Sequence, residues 1–245
     1  MLTLVEVQDF LQKAGRGEID SSRLEPLIDK FGEECKDALR KQLTKRGDYR
    51  IRMSGLGRPL CQQQLEKQGM KQDVAYNDIM RFLMGDLVEA VAIFVLKSTG
   101  VKIVDEQRQC TLDIAGQEVK GTLDVILDID GEEKVWDIKS ASPWSFSNKF
   151  SGRGGYDVIK EDDPFGYIMQ GHLYAKAEDR PFGGWIVIDK SSGEWDFVQA
   201  PDDQEEDSKT YIAEAESRVE AIVNDAPFRV PFQSVPETYT DKGKK

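Results

Sequence analysis

Residues 77–98 place apolar side chains at three- and four-residue steps, the spacing of a helix, and Asn77 stands where it would cap one. Beyond that helix the pattern shortens. Segments 101–104 and 110–114 read as strands, as do Gly121-Thr122-Leu123-Asp124-Val125-Ile126-Leu127 and Val135-Trp136-Asp137-Ile138-Lys139-Ser140-Ala141. Between the last two lies Asp130-Gly131, a strong two-residue hairpin turn. That turn sets Ile129 opposite Glu132 and, five pairs further on, Asp124 opposite Asp137. Opposed residues share a face, with Cβ atoms about 4.5–5.5 Å apart. Side chains alternate along a strand, so Lys139 joins the aspartates while Trp136 and Ile138 turn into the core.

Residues 142–162 are polar and carry Gly152-Arg153-Gly154-Gly155, so they read as a mobile loop. Asp163-Pro164 opens a helix running to about residue 176, with proline at its first position. Segments 184–190 and 194–198 form a second hairpin across Ser191-Ser192-Gly193, and a helix follows over about 203–224. Upstream, residues 1–48 read as short helices around Gly15, Gly17 and Gly32, anchored by Val5, Phe10, Leu11, Leu24, Leu27, Ile28 and Phe31. A glycine-rich loop, 50–59, leads to a helix near 61–67. The organisation is an N-terminal helical region (1–48), a core (49–230) and a frayed tail (231–245). Helices around a mixed central sheet make the class α/β.

Composition narrows the function. The 245 residues suit one large domain or a domain with an appendage. The longest apolar run is residues 90–96, far short of the roughly 20 residues of a membrane span. No membrane role is expected, and the acidic start lacks the basic region of a secretory signal. Cys35, Cys61 and Cys110 are scattered with no C-x-x-C pair, so neither zinc nor an iron–sulfur cluster is expected. Free thiols fit a cytoplasmic location. His172 is the sole histidine, which excludes a zinc site of several histidines. It reads as a surface or capping residue. The net charge of −12 argues against sequence-independent coating of duplex DNA. A local basic stretch exists nonetheless: Lys41, Lys45, Arg46, Arg50, Arg52, Arg58, Lys67 and Lys71.

Asp124 and Asp137 lie in strands apolar enough to be covered on both faces. Two carboxylates facing each other there repel unless a cation bridges them. The alternative is an exposed hairpin face, with Lys139 an ordinary salt-bridge partner. Glu89 sits within an apolar helical stretch, where a carboxylate needs a partner or a cation. It shares a face with Phe82, Gly85, Asp86, Ile93 and Leu96. It also reads as a solvated residue of an amphipathic helix. Gln170 and Tyr174, four apart, share a helix face. Taken alone, they are ordinary packing residues.

Together these residues resemble the PD-(D/E)xK nuclease superfamily, in its RecB-like and phage-exonuclease branch. Asp124 followed by Asp137-Ile138-Lys139 is similar to its D…(D/E)-x-K signature, with Leu123 where a proline can stand. Gly85-Asp86-Leu87-Val88-Glu89 resembles its helix-borne acidic motif. Gln170-Gly171-His172-Leu173-Tyr174 resembles its Q-x-x-x-Y motif, and residues 52–58 resemble the serine- and arginine-bearing loop before the core. The resemblance spans about residues 50–190 and implies a restriction-endonuclease-like core. It implies that Asp124, Asp137 and the Ile138 carbonyl hold Mg²⁺ or Mn²⁺, and that Glu89 holds a second ion or its water. Lys139 would orient and help deprotonate the attacking water and stabilise the phosphate. Gln170 and Tyr174 would position DNA or Lys139, and Arg52, Ser54 and Arg58 would contact backbone phosphate. The implied activity is a metal-dependent DNA exonuclease working in a bacterial cytoplasm, phage-encoded or bacterial, on duplex DNA with a free end. The alternatives are an endonuclease or junction-cleaving enzyme, or a non-catalytic recombination protein on the same fold. A recombination partner and a homo-oligomer are both compatible with the sequence.

Overall fold

The computed structural model describes residues 4–44, 48–70 and 73–230. Lys45, Arg46 and Lys71 of the basic stretch, and the tail 231–245, lie outside the described residues.

Asp130 and Gly131 take left-handed backbone, with φ of 56° and 89°. Two such residues in succession give the primed turn whose twist matches the strands it joins. It connects β2 (Gln117–Ile129) to β3 (Glu132–Ala141). Ala115-Gly116, with φ of 51° and 72°, makes a second tight turn. The segments 101–104 and 110–114 therefore belong largely to one strand, β1 (Ile103–Ile114). β3 then runs parallel to β4 (Phe182–Asp189), which pairs antiparallel with β5 (Trp195–Gln199). The mixed five-stranded sheet is in simple sequence order.

Helices cover both faces of that sheet. On one, α1 (Leu4–Gly15) and α5 (Tyr76–Thr99) pack Val7, Ala92, Ile93 and Leu96 against Val125, Leu127, Trp136, Ile138 and Ile186. On the other, α3 (Met53–Leu56), α8 (Tyr167–Glu178) and α9 (Glu205–Val223) pack Met53, Met169, Leu173 and Val219 against Leu123, Ile126 and Val135. Fully burying each large aliphatic chain is worth about 1.5–3 kcal/mol, which is why both sheet faces are apolar. α4 (Leu60–Lys67) is tied to the end of α9, where Gln64 donates to the Ala226 carbonyl at 2.7 Å.

Several local expectations change. α2 (Glu25–Leu43) runs unbroken through Gly32 and packs on α5, with Phe31 and Phe94 rings 5.8 Å apart. Val7 and Phe10 anchor the N-terminal helices, while Val5, Leu11 and Ile28 are exposed. Ala75, not Asn77, precedes the first turn of α5. The stretch 142–162 is a built crossover rather than a loop. It forms α6 (Pro143–Ser145), a π-helical turn (Phe146–Phe150) and α7 (Tyr156–Glu161). Phe146, Phe150, Tyr156 and Ile159 bury themselves against Phe182, Trp185 and Val187. Parallel strands need such a crossover, and the apolar residues scattered through this polar segment supply its adhesive face. α8 begins at Tyr167 rather than at Pro164. The Asp163 carboxylate accepts the Tyr167 and Ile168 N–H groups, both at 2.9 Å, and caps the helix from four residues away. Among the described residues no helix is long and apolar enough to cross a membrane.

Candidate metal and phosphate site

β2 changes face at Asp124. Leu123 and Ile126 join the α8 side of the core, whereas Val125 and Leu127 join the α5 side. Strict alternation would put 123 and 125 together, so the strand slips out of phase between them. On β1, Gln107 takes left-handed backbone with φ 48°. Pairing passes from Glu106–Val125 to Arg108–Leu123 without a Gln107–Asp124 pair. Towards β3, the predicted register holds over five pairs, from Ile129–Glu132 to Val125–Trp136, and ends there. Asp124 and Asp137 occupy the next step, where the strands part. Asp124 Oδ2 instead accepts the Ile138 N–H at 2.6 Å.

Asp137 is 2% exposed. Its Oδ1 accepts the Gln170 amide at 3.1 Å, which fixes α8 over the parted strands. Its Oδ2 lies 2.5 Å from Lys139 Nζ. The contact is a close ion pair, and Lys139 is the partner that satisfies this oxygen. Lys139 Nζ sits 4.9 Å from the centre of the Tyr167 ring. Glu89 reaches the same cluster from α5 and accepts the Gln107 side-chain amide. Tyr174 is buried, and its ring presses on Gly121, where a Cβ would fall 2.4 Å from Cε1. Glycine is required there for α8 to approach β2 this closely.

Three carboxylates thus face one ammonium. Burial pushes Asp124 well above the ordinary carboxylate range, and the negative charges of Glu89 and Asp137 push it further. Burial also raises Glu89, partly offset by the Gln107 amide. Asp137 is raised by burial too, against the pull of Lys139. Burial alone would lower Lys139, but Asp137 and Asp124 hold it above its usual value, so it stays cationic. Excess negative charge in a poorly solvated pocket is the electrostatic state that a cation relieves.

Arg52, Ser54 and Arg58 lie on and beside α3, next to this cluster. The link is Gly57 against Gly166: a Cβ on either would stand 2.3 or 2.2 Å from the other's Cα. Arg218 holds the loop by donating to the Leu56 and Arg58 carbonyls, the latter at 2.7 Å. The Arg58 side chain is exposed and lies within electrostatic reach of Tyr167. Arg52 leads into α3 and bridges to Lys120 of β2. The rest of the basic stretch is partly engaged elsewhere. Lys41 pairs with Asp86 at 2.9 Å, and Lys67 with Asp225 at 2.7 Å.

The structure therefore gathers Glu89, Asp124, Asp137, Lys139, Gln170 and Tyr174 in one place and sets the Arg58 loop against it. Gln107 and Tyr167 also belong there. Neither has a motif in the sequence, because a left-handed strand residue and a ring below a lysine emerge only from pairing. His172 departs from its expected surface or capping role. It is 1% exposed, stacked on Tyr211 with ring centres 5.6 Å apart, and its Nε2 lies 3.1 Å from Tyr156 Oη. Burial lowers its pKa to about 4.

No grouping of three or more His, Cys, Asp or Glu side chains already has metal-site geometry among the described residues. The donor chemistry still suits a hard divalent ion: two aspartates and Glu89 supply carboxylate oxygens, and their mutual repulsion exceeds what the one ammonium offsets. Lys139 would share Asp137 Oδ2 with the ion or swing from it.

No family model and no curated protein matches this chain. Solved structures similar to it include the following two. The protein SSO0001 is 18% identical, with a TM-score of 0.46 over 79% of this chain and 85% of that one. A "Putative exonuclease" from Eubacterium rectale is 10% identical, with a TM-score of 0.42 over 89% of this chain and 96% of that one. Likenesses this distant carry no functional argument, which must come from the site's own residues.

Proposed function

We propose that the chain is a metal-dependent nuclease that hydrolyses phosphodiester bonds of DNA, working as an exonuclease on free ends. The observation behind this reading is the cluster at the parting strands: Asp124, Asp137 and Glu89 around one cationic lysine, with Gln170 holding Asp137. A core selected only for stability would not retain three mutually repelling carboxyls, one of them fully buried, around a single lysine.

Asp124 and Asp137, with the Ile138 carbonyl, would hold Mg²⁺ or Mn²⁺, and Glu89 would stand near a second ion or a water. A bound ion would supply Lewis acidity and charge neutralisation at the phosphate. The chain's own residues do the rest. Lys139, kept protonated by its neighbours, donates to a phosphate oxygen and stabilises the charge that develops there. In these surroundings it acts as a donor, not as the base that removes a proton from water. Gln170 orients Asp137, and Tyr174 excludes water from beneath the aspartates. Arg58, on its braced loop, offers a guanidinium fork to a backbone or terminal phosphate.

The test uses the purified chain with linear duplex DNA labelled at each end in turn, with Mg²⁺ and with EDTA. Stepwise release of nucleotides with Mg²⁺ alone supports the reading. Cutting of a covalently closed circle would make the enzyme an endonuclease instead. Lys139→Ala abolishes cleavage while DNA binding persists; full activity in that variant excludes the site.

A further inference from the structure

We propose that Phe165 and Tyr167 form a base-stacking subsite for an unpaired nucleotide, so that the strand entering the site is single-stranded or a frayed end. The proposal rests on the nuclease reading above and specifies its substrate.

Phe165 is 59% exposed, yet its ring is not idle: it stacks on Tyr167 with centroids 5.4 Å apart and planes 21° from parallel. Tyr167 is in turn the ring below Lys139 Nζ. A continuous line therefore runs from water, through two aromatic rings, to the ammonium at the aspartates. The line is braced. Phe150 packs on Tyr167 at 6.0 Å, and the Asp163 carboxylate holds the Tyr167 N–H at 2.9 Å. The Gly57–Gly166 contact brings the Arg58 loop against the residue between the two rings, and the Arg58 charge reaches Tyr167.

A single exposed phenylalanine needs no explanation by itself. One stacked on the ring beneath a site lysine, with an arginine alongside, has the make-up of a nucleobase platform. Its ring supplies a π-face, and the cations meet the adjoining phosphates. Bases within duplex DNA are already stacked on each other, so only an unpaired base can use the platform without the cost of extrusion. An acidic peptide would find the same cations but gain little from the ring.

The experiment measures binding, in EDTA, by fluorescence anisotropy. The probes are a labelled oligothymidylate and an oligomer of equal length made of abasic tetrahydrofuran units. The full chain should bind the thymidylate about tenfold more tightly, the scale of one aromatic–base stack. Phe165→Ala should bind both probes alike, and Phe165→Trp should retain the preference. Phe165 is largely exposed, so its loss should leave the melting temperature unchanged. Tyr76→Ala, about 20 Å along α5 from Glu89 at 1.5 Å per residue, should keep the preference and controls for loss of an unrelated surface aromatic. Equal binding of both probes by the wild type, or an undiminished preference in Phe165→Ala, overturns the proposal. Cleavage with Mg²⁺ is scored separately. Cleavage without base preference removes only the subsite, whereas base preference without cleavage removes only the nuclease reading.

Discussion

Replacing Asp124 by asparagine should change metal-free stability and activity in opposite directions. The carboxylate is partly buried, repelled by Glu89 and Asp137, and held well above its ordinary pKa. Asparagine keeps the side-chain oxygen that accepts the Ile138 N–H at 2.6 Å, so the shape and that bond survive while the charge goes. Relief of strain at a functional site commonly yields about 0.5–2 kcal/mol. At about 2–4 °C per kcal/mol for a chain of this size, Asp124→Asn should melt about 1–8 °C higher in EDTA. The pH dependence follows from the direction of the shift. A carboxyl whose folded pKa is raised costs stability in full above that folded pKa, and nothing below the unfolded value near 3.8. The gap between variant and wild type should therefore shrink as pH falls towards the ordinary carboxylate range. Mg²⁺ at a hundred times its dissociation constant should stabilise the wild type by about 2.7 kcal/mol, or roughly 5–11 °C, and the variant by less. Differential scanning calorimetry across pH, with and without Mg²⁺, reads all three effects. A lower melting temperature for the variant in EDTA, or an equal Mg²⁺ shift in both proteins, would refute the charge-excess account.

Arg58→Ala should weaken action on ends bearing a 5′-phosphate by about tenfold to a hundredfold, the worth of one charged hydrogen bond, and spare hydroxyl ends; equal loss on both would remove the end-recognition role. Gly57→Ala puts a methyl 2.3 Å from the Gly166 backbone, so it should cost about 1–3 kcal/mol or more and uncouple the Arg58 loop, seen as a lower melting temperature with reduced DNA affinity. His172 titrates near 6.5 when unfolded but near 4 when folded. Protonation then favours the unfolded chain, and stability should fall as pH drops through that window, by about 3 kcal/mol in full. His172→Leu should flatten this acid limb in urea titrations; an unchanged slope would mean the imidazole is not buried neutral.

What the sequence disclosed and what it hid divide along one physical line. The hairpin was legible because Asp130-Gly131 dictates a turn type, and a turn type dictates a register that holds as far as Val125–Trp136, one step short of Asp124 and Asp137. Gln170 and Tyr174 were legible as a pair because helical geometry is periodic. The phase slip at Asp124 was not, since it shows only once β1 and β2 pair, where it lies opposite the left-handed Gln107. Nor was the burial of His172, which depends on Tyr211 and Tyr156 arriving from other helices. The 142–162 crossover was misread because its apolar residues follow no single period. They come as two pairs, Phe146 with Phe150 and Tyr156 with Ile159, on separate short turns that meet only on the sheet.

The phase slip also explains why the acids stand where they do. A regular β2–β3 ladder would satisfy its own backbone through this point and leave two opposed carboxylates pressed together. Parting the strands after Val125–Trp136 frees the Ile138 N–H for Asp124 and opens a gap between side chains still anchored by a rigid sheet on one side. The ladder gives up pairing at that step, and the charge repulsion adds to the cost. Such a local loss persists only where the surrounding fold over-determines it. Here the bracing comes from the Gln170 clamp on Asp137, the Gly121–Tyr174 contact and the Gly57–Gly166 contact. The chemistry therefore depends on three close packings as much as on its acids. Variants at Gly121 or Gly166 should lose activity with every charged residue intact.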